Sequence, residues 1–184
     1  CGYPLCTGEF MAMTPKWRLT LKEWQALFNQ WMNEPRAEAL LHVSIFFDIR
    51  GIYGDLTLAK QLHGYICRQA QQQKGFLSAL ARNANKRTPP LGFFRQFVLD
   101  GEGKQMRTFN LKSRGIAPII DLVRVHSLGL GSSKLNSFER LADIEAAEIL
   151  PKGRARDLIL ALEMIGMVRI RNQKDQIEAG EEPN

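Results

Sequence analysis

Asp55-Leu56-Thr57-Leu58-Ala59-Lys60-Gln61-Leu62-His63-Gly64-Tyr65-Ile66-Cys67-Arg68-Gln69-Ala70 decides the fold class. Asp55 carries the short acceptor side chain of a helix N-cap and follows Gly51 and Gly54, which interrupt the preceding pattern. Ala59, Leu62, His63, Ile66, Cys67 and Ala70 then recur at the spacing that lines up one face of an α-helix. Such a stripe predicts the core face of a bundle helix. His63 on that face predicts a hydrogen-bonded core histidine rather than a catalyst.

Upstream of this stretch, Thr20 and Glu23 have the spacing of a capping box, with Leu19 and Trp24 placed as its hydrophobic staple. They launch a predicted helix through Leu27, Phe28 and Trp31 towards Asn33. Pro35 opens a second, from about Arg36 to Arg50, with Leu40, Val43, Phe46 and Phe47 on one side and Leu41, Ile45 and Asp48 on another. Apolar nearly all round, it reads as a central, buried helix. Residues 1 to 18, with Gly2, Pro4, Gly8 and Pro15, read as an irregular lead-in.

Downstream, Phe76, Leu77, Leu80, Ala81 and Ala84 mark a helix that ends before Thr88-Pro89-Pro90. The period then changes. Phe97-Val98-Leu99 and Thr108-Phe109-Asn110-Leu111 flank Asp100-Gly101-Glu102-Gly103 and read as a hairpin. Pro118 suits the first turn of a helix carrying Ile119, Ile120, Val123 and Leu128, which Gly129-Leu130-Gly131-Ser132-Ser133 ends. Asn136 with Glu139 caps another, carrying Phe138, Leu141, Ala142 and Ile149, and one after Pro151 carries Leu158, Ile159, Leu162 and Ile165. The polar tail from Asn172 is expected to fray. The sum is a mainly α protein, an up-and-down helical bundle of about seven helices with one small β-hairpin.

With 184 residues, 45% of them apolar and 24% charged, the chain is long enough for a proper core and reads as soluble and globular. No apolar run approaches the roughly 20 residues that span a bilayer, and the N-terminus lacks a signal-peptide pattern, so a cytoplasmic protein without a membrane partner is expected. The net charge of +6 favours anionic partners. The basic residues are nevertheless scattered, with no dense block or aromatic-interleaved stripe, which argues against nucleic acid. Cys1, Cys6 and Cys67 lack zinc spacing, so no metal site is assigned. A first residue that is not Met and an end at Glu181-Glu182-Pro183-Asn184 suggest that both ends were cut from something longer.

Two segments set charge into apolar sequence, where an ion needs a partner or a function. In Ser44-Ile45-Phe46-Phe47-Asp48-Ile49-Arg50 the charges close an apolar run. On a helix Asp48 and Arg50 diverge by about 200°, so they share a site only if the helix unwinds near Gly51. An ion pair to a neighbouring helix and a ligand role are equally good readings of Asp48, whereas Asp55 is most simply a cap. The second segment runs from Leu111 to Asp121 and on to Arg124. Lys112 and Arg114, at the end of the expected strand, project to one side and converge beside a helix N-terminus. That suits a phosphate or carboxylate, with a solvated basic turn as the alternative. Asp121 and Arg124, as i, i+3 neighbours, pair with each other or serve a site. No phosphate-cradling or dinucleotide glycine motif and no H-E-x-x-H occurs, and His42, His63 and His126 all lie in helical patterns, so no catalytic residue is assigned.

These two segments, with Cys1-Gly2-Tyr3-Pro4-Leu5-Cys6, Met11-Ala12-Met13, Pro15-Lys16-Trp17 and Pro89-Pro90-Leu91-Gly92-Phe93-Phe94, resemble one family over almost the whole chain. It is the nucleotidyltransferases related to the protein-PII uridylyltransferases, commonly bacterial, acting in signal transduction and often fused to CBS and cyclic-nucleotide-binding domains. The resemblance implies that residues 1–17 are the junction leaving an upstream nucleotidyltransferase domain. Residues 18–184 would be the helical substrate-binding domain, truncated before a last helix. No Gly-Ser followed by Asp-x-Asp occurs here, so Mg, nucleoside triphosphate and catalysis are implied for the parent enzyme and not for this fragment. Carried over by resemblance, Asp48, Arg50, Asp55, Lys112, Arg114, Asp121 and Arg124 become substrate-binding candidates. The implied partners are the upstream domain, a nucleotide or a protein or small-molecule acceptor, and a regulatory protein. The competing reading is a protein-interaction module of a signalling protein whose embedded charges are structural ion pairs.

Overall fold

Thr20 starts the first helix because its side chain satisfies an N–H that a helix end leaves unpaired. The Glu23 N–H donates to Thr20 Oγ1 at 3.3 Å and the Thr20 N–H donates to Glu23 Oε2 at 2.7 Å, closing the expected capping box. The computed structural model describes residues 8–11, 13–86 and 110–183. In it, α1 (Leu21–Asn33) is followed by α2 (Ala37–Phe46), α3 (Leu56–Gln72), α4 (Lys74–Ala84), α5 (Ala117–Leu130), α6 (Ser137–Ala146) and α7 (Arg154–Glu178). A 3₁₀ turn, Pro15–Trp17, precedes α1, and a π-helical turn, Lys112–Ile116, precedes α5. The described residues are thus mainly α and contain no strand. The expected hairpin falls on residues 97–109, outside the described residues, and its expected last residue, Leu111, is helical.

The chain divides into two compact units, residues 1–69 and 70–184. In the first, Phe28, Trp31 and Met32 of α1 and Ala39, Leu40 and Val43 of α2 are buried where the two helices pack. The lead-in is tied to them by aromatic contacts, with the Trp17 ring centroid 4.5 Å from Phe46 and 6.0 Å from Trp24. Trp17 Nε1 also donates to the Glu9 carbonyl at 2.8 Å. Along α3, Leu62, His63, Ile66, Cys67 and Ala70 are buried, as the stripe predicts.

α2 departs from expectation. It stops at Phe46 rather than near Arg50, and Leu41 and Ile45 are 54% and 40% exposed, so it is not buried all round. Gly51 supplies the reason: a Cβ there would lie 2.9 Å from Leu56 Cδ2 and 3.3 Å from Ala59 Cβ. The chain leaves the helix early, bringing a backbone without a side chain close against the start of α3.

In the second unit α4 packs on α5, α5 on α6, and α6 on α7. Val123, Leu141, Ile144, Ala155 and Leu162 form a buried cluster. On α6 the buried residues are Arg140, Leu141 and Ile144, whereas Phe138 and Ile149, expected inside, are exposed. α7 continues to Glu178, past the point where fraying was expected. Its polar end is helical because residues this far along still continue a hydrogen-bonded ladder already nucleated on the core.

α5 ends at Gly131, whose φ of +72° is the left-handed conformation that caps helices. A Cβ at Gly131 would lie 2.7 Å from Gln71 Oε1, and Gln71 Nε2 donates to the Leu130 carbonyl at 3.1 Å. Gly131→Ala is expected to destabilise the fold by about 1–2 kcal/mol through the unfavourable φ and the displaced Gln71. Denaturant unfolding measures it, and a loss below about 0.5 kcal/mol would show that this corner relaxes freely.

Candidate functional site

Asn110 sets the geometry of the second charged segment. Its Oδ1 accepts from the Ser113 N–H at 2.9 Å and its carbonyl from the Arg114 N–H at 3.0 Å, so it caps a helix that begins at Leu111. The run continues through the π turn into α5, and Lys112, Arg114, Asp121 and Arg124 all lie on it. Lys112 and Arg114 are therefore not at a strand end. Two positions apart on a helical run, they point to different sides instead of converging. Lys112 is exposed and Arg114 half-buried. Within this turn Gly115 admits α7 closely, because a Cβ there would sit 3.3 Å from Ile165 Cδ1. Isolated π turns of this kind recur at functional sites.

Asp121 and Arg124 form the pair that their spacing allows. Arg124 Nη1 lies 3.1 Å from Asp121 Oδ1, with side chains only 10% and 18% exposed for Arg124 and Asp121. Arg124 shares the buried face of α5 with Val123, Ser127 and Leu128. A guanidinium there is tolerable because a carboxylate one turn back offsets its lost hydration.

Asp48, Arg50 and Asp55 belong to the first unit. With α2 ending at Phe46, Asp48 and Arg50 leave helical geometry and its roughly 200° divergence no longer constrains them. Asp48 is half-buried and Arg50 exposed. Next to Arg50, Ile52 and Tyr53 are 85% and 97% exposed. Asp55 acts as the cap: its Oδ1 accepts from Thr57 Oγ1 at 2.6 Å and from the Thr57 N–H at 2.9 Å. The hydroxyl bond first and the amide bond second hold its carboxyl below the usual carboxylate range.

Sequence reasoning missed Arg140, which is 2% exposed and donates from Nε to the Lys134 carbonyl at 2.8 Å. Its signal was its position beside Leu141 and one turn before Ile144, on the face that α6 buries. The histidines stay within structure. His63 Nε2 lies 3.7 Å from Cys67 Sγ, His42 packs 5.2 Å from Trp31, and burial pushes the His126 imidazole below its ordinary value. No group of three or more His, Cys, Asp or Glu that could hold a metal ion occurs among the described residues.

Comparison with known proteins matches residues 74–184, more than half of the chain, to the family described as "Putative nucleotidyltransferase substrate binding domain". Residues 1–38 match the family described as "Putative nucleotidyltransferase DUF294". No curated protein and no solved structure matches the chain. The two matches stand in the order of a nucleotidyltransferase domain followed by its substrate-binding domain.

Two measurements separate scaffold from site. Asp121→Ala is expected to cost about 3 kcal/mol, because it removes the carboxylate that offsets a buried guanidinium, whereas Lys112→Ala stays within about 0.5 kcal/mol. Equal effects in chemical denaturation would contradict the structural reading of the pair. For Asp55, a lowered folded pKa contributes stability that is present above the ordinary Asp value and lost as pH falls through the folded value. Unfolding midpoints of wild type should therefore drop between about pH 5 and pH 2 more steeply than those of Asp55→Asn, which keeps a neutral cap.

Proposed function

Because the chain belongs to the family of nucleotidyltransferase substrate-binding domains, we propose that it is the helical substrate-binding and regulatory part of a cytoplasmic, protein-PII-uridylyltransferase-type enzyme. The reading rests on one observation above the rest: the family match over residues 74–184 contains the capped helical run bearing Lys112 and Arg114. Around it the chemistry is binding and charge. Lys112, exposed on the first turn of the run, places an ammonium where an anionic group arriving from solvent meets it. Arg114, held in the π turn, adds a planar donor suited to phosphate or carboxylate oxygens. Such groups orient an anionic substrate and offset its charge without making or breaking bonds.

The other candidates divide by what they already do. Asp121 and Arg124 hold the fold of this helix, and Asp55 holds the start of α3, so their part in substrate binding is to position backbone. Asp48 and Arg50, on the chain leaving α2, are a second, separate contact in the first unit. In this reading Mg and nucleoside triphosphate belong to the parent enzyme's upstream domain, where a Gly-Ser motif and paired aspartates would hold them. When bound there, the metal would stabilise charge on the transferring phosphate. The acceptor, a protein or a small molecule, and a regulatory protein are the remaining partners of this reading.

The embedded pair of Asp121 and Arg124 favours one rival, a protein-interaction module whose charges serve structure alone. Titrating a nucleoside triphosphate into the chain discriminates the two. Saturable binding that weakens about tenfold in Lys112→Ala and in Arg114→Ala supports the substrate-binding reading. Absence of binding in all three proteins favours the interaction module, and metal-dependent nucleotide transfer by the chain alone would contradict the placement of chemistry upstream.

A further inference from the structure

α7 is apolar on two opposite faces, and the core of its unit uses only one. Ala155 and Leu162 are buried, Leu158 packs against the core cluster, and Ile165 lies against Gly115. These positions fall on one side of the helix. On the other side Leu160, Met164 and Met167 are 54%, 69% and 53% exposed. A surface helix ordinarily carries polar residues there.

Val168, Ile170 and Ile177 of α7 are exposed as well, on neighbouring lines of the helix, but one row of exposed residues is regular. Asp157, Leu160, Met164, Met167, Arg171 and Lys174 follow one another at alternating intervals of three and four, the a/d spacing of a helix–helix seam. Its middle is apolar. One end is acidic at Asp157 and the other basic at Arg171 and Lys174.

We propose that this seam docks a second copy of the same chain, with the two α7 helices antiparallel. The charge pattern selects both occupant and direction. Antiparallel pairing about the midpoint between Met164 and Met167 places Met164 of one copy opposite Met167 of the other. Leu160 then meets the aliphatic stem of Arg171 and Asp157 meets Lys174, each twice by symmetry. Parallel pairing would set Asp157 against Asp157 and Lys174 against Lys174, which is repulsive. The charged residues can exchange partners: among the described residues Asp157 and Lys174 make exposed pairs, at 3.3 Å to Arg154 and 3.5 Å to Glu178. The flexible thioethers of Met164 and Met167 let the centre adapt to its own copy.

Sedimentation velocity over a range of concentrations tests this. Wild type should form a reversible dimer, and Met164→Glu should be monomeric at the same concentrations. Asp157→Lys and Lys174→Asp should each weaken dimerisation about tenfold or more, while the combined variant Asp157→Lys/Lys174→Asp returns to within about threefold of wild type. All three side chains are exposed, and unchanged helical circular dichroism verifies the fold of each variant. A wild type that stays monomeric up to roughly 1 mM overturns the proposal, and so does a dimer indifferent to Met164→Glu. A combined variant as weak as the single ones overturns the antiparallel register.

Discussion

An arginine on the buried face of α5 is the constraint on which the second unit depends. Arg124 shares that face with Val123, Ser127 and Leu128, and α4, α6 and the π turn all pack on this helix. Taking a guanidinium out of water costs several kcal/mol unless charge and hydrogen bonds replace its hydration. Asp121, 3.1 Å away and also largely buried, supplies the compensating charge from the same helix. Because both partners ride on one helix, the compensation is in place wherever α5 packs, and its neighbours can be built from ordinary apolar residues.

The first unit meets its equivalent requirement with aromatic rings. Phe10, Trp17, Trp24, Trp31, His42 and Phe46 form a connected set of ring contacts, and Phe28 and Phe47 are fully buried. Rings contribute large buried areas for few lost rotamers, so a short helix pair can hold an irregular lead-in. That matters for function because residues 1–38 match a nucleotidyltransferase family. Within that stretch Trp17 packs on Trp24 and Trp31 of α1 and on Phe46 of α2.

Where pattern and cap agreed, the fold was legible. Thr20 with Glu23, Asp55, Pro118 and Asn136 each stand where a helix begins, because a cap is a contact between near neighbours that sequence spacing fully specifies. The stripe of α3 was legible for the same reason: one periodicity, one buried face. The candidate site was less so. Lys112 and Arg114 were placed on a strand because Thr108 to Leu111 carries β-type residues, but Asn110 caps a helix instead and turns a converging pair into a diverging one. For Asp48 and Arg50, α2 ends at Phe46, so the helical divergence expected of them no longer applies. In both cases the mutual geometry of the charges depended on a helix boundary.

Local chemistry therefore determined the helices, their starts, the mainly α class and the positions where charge needed an explanation. Only tertiary structure decided where α2 stops, that Arg140 is buried, and that Phe138 and Ile149 remain in solvent. It also decided that α7 turns Leu162 inward and leaves Leu160, Met164 and Met167 outside. The physical reason is the same throughout. A cap or a stripe is written in residues a turn or two apart, whereas the choice between two apolar faces, or between helix and close approach at a glycine, is made by neighbours distant in sequence.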